Sequence, residues 1–295
     1  MPQHIQHQIT PREKLDFGLD GDIPRYWHGG DAFQSRLWDA LSIIFPPGEK
    51  FFMNCVRDFR DQVTDPQLQA DIRDFNRQEA QHGLVHRQDN ERLRRQGIDV
   101  DALVQQVDEL LNKRLRQTHS RAHTLALTAA LEHFTSIIAH SLFDQRDLMR
   151  DADPRVRAMY AWHAIEEVEH KAVAFDVMTQ VARVGYWRRI AGLLHATALF
   201  ARLSFSIHRQ LLVADGYSAG QRLALFLKGA VWVFKPGGLL QPMYGAYLRY
   251  FKPGFHPWQD TEQRGYAEWL RAFERLGDPV AANEQMRRDL ALNRS

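Results

Sequence analysis

The sequence predicts an all-α fold with a four-helix bundle at its centre, on three observations. Apolar residues recur three and four apart through long segments, the period of one helix face. Pro, Gly and Asp fall at the ends of those segments, where helices start and stop. No run of alternating β-branched residues and no Asn-Gly turn appears anywhere in the 295 residues, so no strand pattern competes.

Residues 1–30 read as an extended arm punctuated by Pro24, Gly29 and Gly30, with Phe17, Tyr26 and Trp27 able to pin it to the body. Asp31 caps a short amphipathic helix through Phe45, with Phe33, Leu37, Leu41 and Ile44 on one side. Pro46-Pro47 is expected to stop it and to open a second helix through Val63, carrying Glu49. Pro66, behind Thr64 and Asp65, starts a third helix that runs to Gln96 with Gly97 as its stop. It carries Glu79, His82 and His86 at spacings of three and four. An amphipathic segment follows from Asp99 to about Arg116. The next long helix, about Thr118 to Leu148, places Glu132 among Ala126, Ala129, Ala130 and Ile137. Asp153-Pro154 opens another, to about Arg183, which holds His163, Glu166, Glu167, Glu169 and His170. A last helix from Thr261 turns Tyr266, Trp269, Leu270 and Phe273 inward ahead of a polar tail.

The long helices thus carry Glu49; Glu79 and His82; Glu132; and Glu167 and His170. The order Glu, Glu-x-x-His, Glu, Glu-x-x-His is the donor set of di-metal carboxylate bundles of the ferritin-like kind. Four carboxylates offset the charge of two divalent cations, and neutral imidazoles complete the coordination without adding charge. Oxygen and nitrogen donors without thiolate suit iron or manganese. One Glu-x-x-His arises easily by chance; two, each preceded by a helix with an inward Glu, do not. A first-turn acid serving only the helix dipole is the alternative for Glu49. Glu166 competes with Glu167, and Glu167 is preferred because its spacing to His170 repeats that of Glu79 to His82. His163, four residues before Glu167, is a seventh donor or a core histidine bonded to one; His86 is read as a supporting group.

The apolar share of 44 % and charged share of 25 % are ordinary for a soluble globular chain. The single cysteine, Cys55, excludes an internal disulfide and a Cys-based zinc site and fits a reducing cytoplasm. Met1–Asp16 is polar, so no secretory signal is expected. Charge is segregated. Residues 186–259 hold nine Lys and Arg against Asp215 alone, net +8, which leaves −6 for the rest of a chain of net +2. That region is also apolar and aromatic, but His195, Arg202 and Lys228 interrupt its apolar runs. Three readings stay open for it: helices packed on the bundle, a cover that shapes an apolar channel over the metals, or a peripheral contact with an anionic membrane. No recognition motif points to nucleic acid. Three regions are expected: an arm and short helix at 1–45, the di-metal bundle at 46–185, and a helical extension at 186–295.

Pro24-Arg25-Tyr26-Trp27-His28, the run from Phe45 to Phe52, Glu79-Ala80-Gln81-His82, Trp162 through Lys171, and Tyr250 through Trp258 together resemble a bacterial family described as predicted metal-dependent hydrolases. At the site alone the pattern is also similar to the p-aminobenzoate N-oxygenases, di-iron enzymes with an additional histidine four residues before the last Glu-x-x-His, the position of His163. The donor set implies first an O2-activating di-iron oxygenase, with two iron ions (manganese or a mixed pair as variants), O2, an electron donor and a hydrophobic small-molecule substrate, with a homodimer as the assembly considered. The alternative is a di-metal hydrolase of an ester or amide, and a third reading is a metal-storage protein without catalysis.

Overall fold

The computed structural model describes residues 8–144, 148–259 and 264–292. The described residues are helical with no strand; His28 and Ala152 form an isolated antiparallel bridge.

Helix α1 runs unbroken from Ala32 to Arg57, with Asp31 capping the Gln34 amide. The break expected at Pro46-Pro47 does not occur. Pro46 has no N–H for the Ser42 carbonyl, and the Asn90 side-chain amide donates to that carbonyl instead, at 3.1 Å. A partner from another helix thus replaces the lost rung, and the junction drawn at 45/46 falls inside one helix. Glu49 consequently stands in the interior of α1, not in a first turn, so the dipole alternative for it fails.

Helix α2, Pro66–Arg95, starts as expected with Asp65 capping Gln67 and Pro66 in the first turn. Gly97 follows it with φ +87°, a conformation that favours glycine. Helix α3, Val100–Asp108, continues into a wider π-helical stretch, Glu109–Leu115. Helix α4 spans Arg121–Asp144; its expected continuation to Leu148 crosses residues 145–147, outside the described residues. Helix α5, Pro154–His170, begins under the Asp153 cap; after a break at 171–172 the helical course resumes over Val173–Asp176 and a π-helical stretch Val177–Val181, close to the expected end near Arg183. No Gly or Pro marks that break, so periodicity alone runs through it. Tertiary contacts flank it: the Lys171 ammonium lies 4.8 Å over the Trp258 ring, and Phe175 packs edge-on against Tyr250 and Phe255.

Helices α6 (Tyr186–Ala214), α7 (Ala219–Phe234) and α8 (Met243–Arg249) follow. Helix α9, Arg264–Leu276, buries Tyr266 and Trp269 as expected. The polar tail expected after it is instead helix α10, Pro279–Leu292. Asp278 caps its first turn, and Ala282, Met286 and Leu290 bury against α5 in a stripe too thin to stand out in the sequence.

Helix α1 packs between α2 and α6, while α4 packs on α5 and α6. The arm docks as expected, with Phe17 and Trp27 buried and Tyr26 half-buried against Tyr217. By length and apolarity α6 is the one described helix that could cross a membrane, and Leu194, Phe205 and Val213 on it are exposed. Its inner face carries His208, 2 % exposed, whose Nε2 lies 3.2 Å from the Phe33 carbonyl oxygen. Burial lowers the His208 pKa to about 4, the bond to Phe33 only partly opposing it. A histidine held below its ordinary value of about 6.5 contributes stability that is complete above that value and lost as pH falls toward the folded value. Acidification from pH 7 to pH 5 is therefore expected to cost about 2 kcal/mol through this group. Urea unfolding at the two pH values checks this: the loss should shrink by that amount in His208→Gln, and equal losses would refute it.

Candidate metal centre

All seven donors expected from the sequence converge at one buried point. Glu49 comes from α1, Glu79 and His82 from α2, Glu132 from α4, and His163, Glu167 and His170 from α5. None is more than 4 % exposed. They fall into two adjoining groups. In one, donor atoms of Glu49, His82 and His163 lie within 4.8 Å of one another; in the other, those of Glu79, Glu167 and His170 do. Glu132 joins the second group, its Oε2 being 3.4 Å from His170 Nε2. Glu167 spans both, with Oε1 2.9 Å from His163 Nε2 and Oε2 3.6 Å from His170 Nε2. Gly83 makes room, since a Cβ there would meet Glu49 Oε2 at 3.0 Å.

The histidines are oriented from behind. Arg92 Nε pairs with Asp89 at 3.2 Å, and the Ser42 hydroxyl donates to Asp89 at 2.9 Å. Ser42 must then accept from His86 Nδ1, 2.9 Å away. His86 Nε2 is left as an acceptor and takes the proton of His163 Nδ1 at 2.7 Å. The His163 Nε2 lone pair therefore points at the Glu167 carboxylate. His170 repeats the logic. The Gln78 amide nitrogen donates to Glu169 at 2.8 Å, so Gln78 Oε1 accepts His170 Nδ1–H at 2.8 Å. That leaves the Nε2 lone pair among Glu79 Oε1 (3.1 Å), Glu132 and Glu167. His82 gives its Nε2–H to Glu166 at 3.2 Å and turns Nδ1 toward Glu167 Oε1 at 3.6 Å. Arg12, reaching in from the arm, holds Glu166 at 3.2 Å and Glu169 at 2.7 Å. Glu166 and Glu169, open between support and surface in the sequence, are both buried supports. His86 supports His163 as expected.

Lone pairs facing carboxylates repel unless a cation or a proton lies between them. Both oxygens of Glu49, Glu79 and Glu132, Glu167 Oε2, His82 Nδ1 and His170 Nε2 are buried with no hydrogen-bond partner among the described residues. Each such atom costs roughly 1–3 kcal/mol or more if nothing satisfies it, and four buried carboxylates repel strongly. Burial first, then mutual repulsion, pushes Glu49 and Glu132 well above the usual carboxylate range; burial raises Glu79 against the pull of His170. For Glu167 burial works the same way, but His170 and His163 outweigh it and hold the carboxyl low. Burial disfavours charge on His170, yet Glu167, Glu132 and Glu79 hold its pKa well above the ordinary value. Burial lifts Glu166 to about 7 in spite of Arg12. Two divalent cations would replace the competing protons, pair every orphaned donor and neutralise the four carboxylates. The residues therefore fit the ions.

The residues the sequence did not disclose are Arg12, Ser42, Gln78 and Asp89. Of these only Gln78, one residue before Glu79, adjoins a recognised motif. On the Glu49 side the donors adjoin a narrow apolar cavity of about 30 Å³ lined by Phe45, Phe52, Leu131, Leu199, Phe200 and Leu203. Three of those residues belong to α6, so the C-terminal region covers this side of the centre. A polar cleft of about 310 Å³, beside Asp71, Asp176 and Trp258, reaches Glu169 from the opposite side but none of the seven donors.

No curated protein and no solved structure matches this chain. The family model described as "predicted metal-dependent hydrolase" matches residues 11–261, a stretch that includes all seven donors and the arginine that braces them. With most of its length under that model, the chain belongs to the predicted metal-dependent hydrolase family.

Proposed function

We propose that α1, α2, α4 and α5 form a ferritin-like bundle around two divalent cations, and that the chain is a di-metal hydrolase of a hydrophobic ester or amide. The observation that carries this is the convergence of buried, unpartnered donor atoms from four helices. Glu49, His82 and His163 would hold one ion, Glu79, Glu132 and His170 the other, with Glu167 between them. Bound there, divalent ions polarise a carbonyl oxygen and lower the pKa of a coordinated water. The chain's own residues do the rest. Phe45, Phe200 and Leu203 take up the apolar part of the substrate and keep bulk water away from Glu49. A cavity the size of about one water molecule must widen to admit substrate, and the aromatic side chains of Phe45 and Phe200 are the parts that can turn. The Asp89–Ser42–His86 chain holds a proton at His163 Nδ1 and so fixes the direction of Nε2.

A second reading, an O2-activating di-iron oxygenase, is favoured by the donor chemistry. Oxygen and nitrogen donors and an apolar surround suit redox-active iron or manganese as well as zinc. Hydrolysis ranks first because it is what the family description states. One experiment separates them. Zinc-loaded protein is offered a panel of aryl esters and anilides without oxygen, and ferrous protein is exposed to air. Turnover by the zinc form, lost in Glu167→Gln, supports hydrolysis. An inert zinc form beside a ferrous form that consumes O2 supports the oxygenase.

An apolar substrate also gives the C-terminal surface a role. Phe205 and Val213 on α6 and Leu223, Leu227, Val231 and Phe234 on α7 are exposed. Together with the +8 charge of residues 186–259 they support a peripheral contact with anionic lipid. Co-sedimentation with anionic but not neutral vesicles is expected; failure to sediment with either removes this part of the reading.

A further inference from the structure

A second group of donors stands at the surface, away from the carboxylates. His119 lies in the turn before α4, His123 in the first turn of α4, and His195 in the first half of α6. One nitrogen from each lies within 4.8 Å of the other two. His123 Nε2 and His195 Nδ1 are 3.0 Å apart. The rings of His119 and His123 stack at 4.9 Å, and each is 5.3 Å from the ring of His195.

The arrangement is held from outside the cluster. The Thr118 hydroxyl gives its proton to the Arg114 carbonyl at 2.8 Å, so it accepts from His119 Nδ1 at 2.9 Å. His119 Nε2 is left as a bare lone pair. A Cβ on Gly192 would lie 2.8 Å from the Ala126 carbonyl oxygen, so α4 and α6 touch backbone to backbone there. Ala126 and Gly192 each stand three residues, almost one turn, from His123 and His195. That close crossing fixes the separation of those two rings.

We propose that His119, His123 and His195 form a binding site for a single late transition-metal ion, zinc being the natural occupant, with a fourth position open to water or an external ligand. Three neutral imidazoles around one open position are a known zinc donor set, and imidazole also suits nickel and copper. The charge differs from that of the buried centre. No carboxylate among the described residues belongs to this cluster, and Arg188 acts on His123, so hard ions such as magnesium or calcium have no reason to bind. At a zinc–nitrogen distance of about 2.0–2.1 Å, tetrahedral donors stand about 3.3 Å apart. The His123–His195 pair is already near that value, and rotation of the surface ring of His119 completes the set. Burial, and then the neighbouring bases, lower the proton affinity of His123, and burial with His119 lowers that of His195. A bound ion would tie α6, the helix that covers the apolar cavity, to the start of α4.

The test is equilibrium dialysis of the untagged full-length chain against zinc, followed by metal analysis. Wild type is expected to hold one more zinc per chain than His195→Gln or His119→Gln, with zinc at the surface site bound at least about tenfold more weakly in the variants. Zinc should also raise the Tm of wild type by more than that of either variant. Equal zinc content in all three proteins overturns the proposal. His119 lies outside the packed core, so His119→Gln decides the matter if His195→Gln fails to fold. Glu167→Gln separates this site from the buried one: it should lose the ions of the carboxylate centre and retain the surface zinc.

Discussion

Replacing Glu132 by Gln is expected to raise the thermal stability of the metal-free protein while abolishing most of the stabilisation that metal confers. Glu132 is 1 % exposed, both its oxygens lack hydrogen-bond partners, and Glu79 and Glu167 add repulsion to the cost of burial. A carboxyl whose folded pKa lies above its unfolded value binds more protons folded than unfolded across the interval between them. Its contribution to stability is therefore complete below the unfolded value, about 4.3, and declines as pH rises toward the folded one. At pH 7 the metal-free chain bears that cost, and Gln, with the same shape and no charge, removes it. With metal bound the sign reverses, because the ions need the carboxylates ionised and His170 and His82 free of protons at their donor atoms. The rise in Tm on adding a divalent ion to wild type should therefore grow from pH 5 to pH 8. Calorimetry with and without metal reads both effects. At saturating ion, about 100 Kd per site, each bound ion is worth about 2.7 kcal/mol. In Glu132→Gln most of the share of the Glu79–Glu132–His170 ion should disappear. A Gln variant less stable than wild type without metal, yet fully responsive to it, would contradict the assignment of Glu132.

Asp39→Ala is expected to cost about 3–5 kcal/mol of folding stability, because it strips a partner from two buried guanidinium groups at once. Asp39 Oδ2 lies 2.8 Å from Arg36 and Oδ1 lies 2.5 Å from Arg92, and Trp27 Nε1 donates to Oδ1 at 2.9 Å. The side chains of Arg36, Arg92 and Asp39 are at most 2 % exposed, so water cannot replace what is removed. Asp215, the sole acid of the basic C-terminal stretch, is drawn into the same network and pairs with Arg36 at 2.7 Å. The contrast is Arg94 with Asp101, whose aspartate is 80 % exposed and whose loss should cost less than about 1 kcal/mol. Urea midpoints of the two variants compare them directly; similar small losses would show that the buried network is not what holds α1 to α2 and α6. The network also orients the site. Arg92 positions Asp89, which orders Ser42, His86 and His163 in turn. Any Asp39→Ala protein that folds should therefore bind the ion of the Glu49–His82–His163 group more weakly.

Local chemistry made much of this legible. Asp65-Pro66 and Asp153-Pro154 mark helix starts whatever surrounds them, because a side-chain cap and a fixed φ are local properties. The donors were legible for a similar reason. Spacings of three and four put Glu79 with His82, and His163 with Glu167 and His170, on single helix faces before any tertiary contact exists. Repetition of Glu ahead of Glu-x-x-His then suggested that separate helices share one centre. Of the two neighbouring carboxylates, Glu167 lies against His82 Nδ1 and Glu166 against Arg12.

The chain by itself therefore determined the all-helical class and the seven side chains that meet, because period, caps and spacing act within a few residues. Only the tertiary structure decided that α1 passes through two prolines, that a break at 171–172 interrupts the helix begun at Pro154 and that helix α10 follows Gly277. It alone set which nitrogen of each histidine faces inward. Those outcomes depend on partners far away in sequence: Asn90 for Ser42, Arg12 for Glu166, Gln78 for His170. A hydrogen bond between residues 48, 154 or 92 positions apart leaves no periodic trace along the chain, and it exists only once packing has brought its two ends together.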